Sequence, residues 1–175
     1  IYSLNLSDEV VDILLEKILQ LNPEALTLVK IASVFGLEFS INQLGMISGE
    51  EASHIHRLLW PLIQEGSLIP QSNDYRFIPE YYSEVGIDIR FRFAHARIQQ
   101  AVYSLLEGGE KEKRHYEVGS IMLDRLSEKE ITEKSFEIGT HLHLGFTFLQ
   151  SSQNSKKAAR VLLMAGNKAA GSAAF

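Results

Sequence analysis

The stretch from Arg90 to Leu106, RFRFAHARIQQAVYSLL, constrains the fold more than any other part of the chain. A short alternating strand runs straight into an amphipathic helix. Ile89, Phe91 and Phe93 share one strand face, and Arg90 and Arg92 take the other. Ile98, Ala101, Val102 and Leu105 then recur at i, i+3, i+4 and i+7, the buried stripe of a helix. His95 stands at the junction. Free backbone N–H groups and the helix dipole favour an anion such as a phosphate at that place. Two readings stay open on these residues, a sensor of a bound nucleotide and a histidine that caps or packs.

Upstream of the junction the pattern is helical. Ser7, Asp8 and Glu9 start a helix that runs to about Leu21, with Val11, Leu14, Leu15 and Ile18 on one face. Asn22-Pro23-Glu24 starts a second, lined by Ala25, Leu28, Ala32 and Phe35 and ended by Gly36. Ser40 opens a short helix to about Ser48. Glu50 or Glu51 opens another, with Ile55, Leu58, Leu59, Leu62 and Ile63 inward, Pro61 kinking or dividing it, and Gly66 stopping it. Ser67 to Pro70 reads as a strand, Gln71 to Asp88 as irregular, and Ile89 to Phe93 as a strand returning antiparallel to the first. Helices followed by a two-stranded wing make the winged-helix order, a helix-turn-helix variant, over residues 1–108.

Beyond Gly108-Gly109 everything reads as helix: about Lys111–Leu126, Thr132–Phe148 and Ser155–Phe175. Ala158, Leu162, Ala165, Ala169 and Ala173 share a face of the last, and such small residues permit close helix–helix approach. The predicted fold class is therefore mainly α: a winged helix with a small β-hairpin wing, then antiparallel helices like those of a tetratricopeptide arm over 109–175. The chain opens at Ile1 and stops at Phe175 inside a helical pattern, so it reads as a piece of something longer.

The block FRFAHARIQQAVY, Phe91 to Tyr103, resembles the segment that closes the winged-helix domain of STAND-type, AAA-like signalling ATPases. It is similar in particular to large bacterial sensors that join a serine/threonine-kinase-like domain, a STAND ATPase and a histidine kinase of a two-component system. In that family a Met-His-Asp motif occupies this place, and its histidine contacts the β-phosphate of bound ADP. His95 matches the histidine, and Ala96 stands where the aspartate usually follows. The resemblance implies a non-catalytic regulatory part of a cytoplasmic signal-transduction protein. Its partners would be the adjacent nucleotide-binding domain of the same chain and other signalling proteins. It would hold no cofactor of its own, with ATP or ADP bound by the parent.

Other chemistries find little footing. Residues 1–70 carry three basic side chains (Lys17, Lys30, Arg57) against nine acidic, a net −6. That charge repels the phosphates that supply most nucleic-acid affinity, which weighs against a DNA-binding transcriptional regulator and against nucleic acid as a partner. His54/His56 and His141/His143 are i, i+2 pairs, about 200° apart on a helix, so neither pair shares one metal ion. His115 lies with Val118, Met122 and Leu126 on an apolar face and reads as a packed histidine. No phosphate loop, dinucleotide-binding glycine run, nucleophile elbow or kinase signature occurs. Glu128, Glu130 and Glu133 read as a solvated face, Arg90 and Arg92 as the solvent side of a wing strand, Arg97 as part of a helix's first turn, and Trp60 as half-buried beside the wing. The three arginines could otherwise add positive charge near a nucleotide phosphate. With no cysteine, thiolate sites and disulfides are excluded. No apolar run is long enough to span a membrane, so no membrane partner is expected. A free-standing helical scaffold that binds another protein is the remaining rival.

Overall fold

The computed structural model describes residues 8–73, 75, 88–149 and 154–173. The expected cap at Ser7 and most of the irregular stretch Gln71–Asp88 lie outside them. The chain is mainly helical with a small antiparallel sheet, and it divides into two compact units, Ile1–Leu106 and Glu107–Phe175.

The first unit begins with α1 (Asp8–Leu19), which buries Val11, Leu14 and Ile18 as their spacing requires. In α2 (Pro23–Val34) the proline occupies the first turn, and the Asn22 side chain accepts from the Ala25 N–H at 2.8 Å. Gly36, at φ 99, follows the end of this helix in the left-handed region that glycine adopts without steric cost. Strand β1 (Glu38–Ser40) comes next and was not foreseen. Ser40 both ends the strand and caps α3 (Ile41–Ser48), through a reciprocal box with Gln43. Ser40→Ala is expected to cost about 1 kcal/mol. Urea unfolding followed by the fluorescence of Trp60, the single tryptophan, would measure it.

Helix α4 (Ala52–Gln64) runs through Pro61 as one element, so the proline does not divide it. Ile55, Leu59 and Leu62, each fully buried, anchor the helix on both sides of the proline. Burial of such side chains contributes about 1.5–3 kcal/mol apiece, which offsets one lost backbone bond. After β2 (Leu68–Pro70), strand β3 (Arg90–Phe93) pairs antiparallel with it, Leu68 opposite Phe93. It pairs antiparallel with β1 as well, Phe39 opposite Phe91. Among the described residues the sheet is three-stranded, order β1-β3-β2, in place of the expected two-stranded ribbon. Phe91 and Phe93 are fully buried against Phe39, at ring centroid separations of 6.0 and 5.6 Å. Helix α5 (Ala96–Ser104) buries Ile98 and Val102, and Gln99 donates to the Ser33 carbonyl of α2 at 2.7 Å.

The second unit holds α6 (Glu110–Arg125), α7 (Glu128–Glu133), α8 (Ser135–Leu144), α9 (Phe146–Leu149) and α10 (Ser155–Ala173). The single helix expected over Thr132–Phe148 is thus broken twice. Ser127 and Glu130 form a capping box that starts a short helix early, and the backbone leaves helical geometry at Lys134 and again at Gly145. Glu130 is therefore a cap, and the Ser127 hydroxyl and N–H hold its carboxyl below the ordinary carboxylate range. The alanine face of α10 is buried only in its first half: Ala158 and Val161 are covered, Ala165 is half-buried and Ala169 exposed. Among the described residues, no helix is long and apolar enough to cross a membrane.

Candidate functional site

Strand β3 and helix α5 fix the backbone on both sides of His95. The Phe93 and Ala94 N–H groups donate to the Leu37 and Ser67 carbonyls, each at 2.9 Å, and hold the strand exit. His95 itself is extended, φ −146 and ψ 146, and caps α5. Its carbonyl accepts from Ile98 at 3.1 Å, and its ring Nδ1 accepts from the Arg97 N–H at 3.2 Å. An Nδ1 that accepts carries no proton, so the neutral ring bears its hydrogen on Nε2. The ring is half-buried. What it offers is one ring N–H donor at a helix N-terminus whose Arg97, Ile98 and Gln99 N–H groups are already bonded to His95, with Arg90 and Arg97 exposed nearby in sequence and Arg92 half-buried. That arrangement suits hydrogen bonding to an anion.

The i, i+2 histidines fall on opposite faces. His54 reaches Glu24 of α2 at 2.8 Å and lies 3.9 Å from Glu50, while His56 is buried beside Trp60, ring centroids 5.4 Å apart. Burial lowers the pKa of His56. Sequence reasoning missed the meeting of Glu24, Glu50 and His54, whose ligand-type atoms lie within 4.8 Å of one another. Arg57 donates to His54 Nδ1 at 3.1 Å, which leaves the proton on Nε2, the nitrogen facing both carboxylates. A metal ion there would have to displace that proton and the Glu24 hydrogen bond.

The second unit holds a buried pair that the sequence also concealed. His115 of α6 and His141 of α8 meet Nδ1 to Nδ1 at 2.9 Å, with residue exposures of 5% and 6%. His143, the expected neighbour of His141, is exposed instead. Burial pushes His115 below the usual histidine range, opposed in part by Glu112. Burial first, and the charge of His115 second, push His141 down to about 4. Only the contact between α6 and α8, 26 residues apart, could have disclosed this pair. No family model, curated protein or solved structure matches the chain.

Proposed function

We propose that the chain is a regulatory part of a bacterial multidomain sensor kinase, namely the winged helix of its STAND-type ATPase and the first helices of a tetratricopeptide-like arm. On this reading the fragment catalyses nothing. It packs on the nucleotide-binding domain of the same chain, stabilises the ADP-bound state, and relays a signal through the helical arm to other signalling proteins. The observation that carries the reading is the His95 cap. A ring whose Nδ1 is spent on the Arg97 N–H keeps its proton on Nε2, a donor that suits a phosphate oxygen of a nucleotide held by the neighbouring domain. The chemistry requires only differential contact with two nucleotide states, which suffices to bias a two-state interface. The acidic balance of residues 1–70 disfavours the DNA-binding alternative.

The test uses the parent protein and a fluorescent ADP. His95→Asn keeps a good helix cap but removes the outward ring donor, whereas His95→Ala removes both. Both variants should release ADP about 10- to 100-fold faster, the worth of one hydrogen bond to a charged group. Release from His95→Asn at the wild-type rate would make His95 a cap and nothing more.

A further inference from the structure

We infer that the His115–His141 pair is a proton-operated latch between α6 and α8, closed at neutral pH and opened by mild acid. The second unit carries this inference by itself, so it does not depend on the function proposed above. At 2.9 Å the two Nδ1 atoms must share one proton, which makes one ring the donor and the other the acceptor. Two neutral rings satisfy that bond. One additional proton, on the donor ring's Nε2, also leaves it intact. Two additional protons set N–H against N–H and two cations side by side, with both residues shielded from water.

The surroundings grade these steps. Glu112, one turn before His115, attracts its charged form, and the Glu112 Oε2 is buried with no hydrogen-bond partner among the described residues. The first proton therefore has a waiting counter-charge. Lys111 also precedes His115 by one turn on α6, and Glu137 precedes His141 by one turn on α8. Arg114 of α6 is engaged with Glu117 at 2.9 Å. Helix α9 carries no titratable side chain. On α7, Glu130 is held by Ser127, and Lys129 lies 3.9 Å from Glu133. The α10 cations Lys157, Arg160 and Lys168 are turned to Asp124, Glu128 and the Thr132 carbonyl. What the second proton meets is the first: N–H faces N–H across 2.9 Å, and two cations lie side by side.

The sign follows from linkage. Both rings have folded pKa values below the ordinary 6.5, so the open state binds more protons. The contribution of the latch is complete above about pH 6.5 and declines as pH falls toward 4. Opening would uncover Val118, Met122, Ile138 and Leu142, all buried at present.

Amide hydrogen exchange of the whole 175-residue chain at pH 7.5 and pH 5, corrected for intrinsic rates, tests the latch. Protection of α6 and α8 should fall about 30-fold at pH 5 from His141 alone, given an open-state value of 6.5 and a closed one of about 4. The paired change His115→Gln with His141→Gln, which keeps polar contacts without titration, should flatten that dependence. If the double variant fails to fold, ¹⁵N chemical shifts of the wild-type imidazoles decide instead. At most one ring charged at pH 5.5, with loss of α6 and α8 protection as the second ring charges, would support the latch. Equal protection at both pH values in the wild type, or both rings titrating near 6.5 in the folded chain, would overturn it.

Discussion

Phe93→Ala should destabilise the first unit by about 3–5 kcal/mol, a large share of the stability of an ordinary domain. Phe93 is fully buried on the central strand, with the Phe39 ring 5.6 Å away and Leu68 opposite it in the ladder. Truncation removes an aromatic side chain from a core shared by helices and sheet, and the strand pairing on either side limits how far the site can collapse. Arg90→Ala, on the exposed face of the same strand, should change stability by less than about 0.5 kcal/mol. Because Trp60 lies in the first unit, its fluorescence reports the unfolding of that unit alone, whereas circular dichroism sums both. A Phe93→Ala midpoint shift as small as that of Arg90→Ala would show that β3 does not organise this core.

The second large effect belongs to Gly145, and it comes from space, because φ at this residue is −95. A Cβ built there would sit 2.6 Å from the Tyr116 Cα and 2.7 Å from its Cβ. Backbone of α6 cannot swing aside as a side-chain tip can. Gly145→Ala should therefore cost about 3 kcal/mol or more, the upper end of overpacking. Gly119→Ala meets chiefly the end of the Leu142 side chain, at 2.8 Å, and should cost less. Gly166→Ala, within α10 and facing nothing within 4 Å, should stabilise by up to about 1 kcal/mol. Thermal melts at 222 nm would rank the three, and a harmless Gly145→Ala would mean that α6 and α8 do not approach this closely in solution.

These residues also show what a sequence can disclose. Asn22-Pro23-Glu24, Ser40 and Gly66 act within three or four residues of themselves, so their roles at helix ends were readable directly. The alternation Ile89–Phe93 forecast its buried face for the same reason: period two is a local property. Strand β1 escaped because three residues are too few to display a period, and Ser40 already signalled a helix start. The breaks at Lys134 and Gly145 escaped because the apolar spacing runs on across them, and at Gly145 the close approach of Tyr116 is a tertiary contact. At the candidate site, the place of His95 at a helix N-terminus was legible, but its tautomer was not, since that depends on one backbone hydrogen bond. His115 with His141 depends on tertiary contact, and the meeting of Glu24, Glu50 and His54 draws on three separate segments.

The order β1-β3-β2 has a consequence for how the first unit can be approached. Among the described residues both margins of the sheet are three-residue strands, and one of them ends in Pro70, which has no N–H to give. An incoming extended peptide would find too few backbone groups to extend the ladder. Among the described residues the sheet thus gives little purchase to strand addition, and side chains dominate what its margins present.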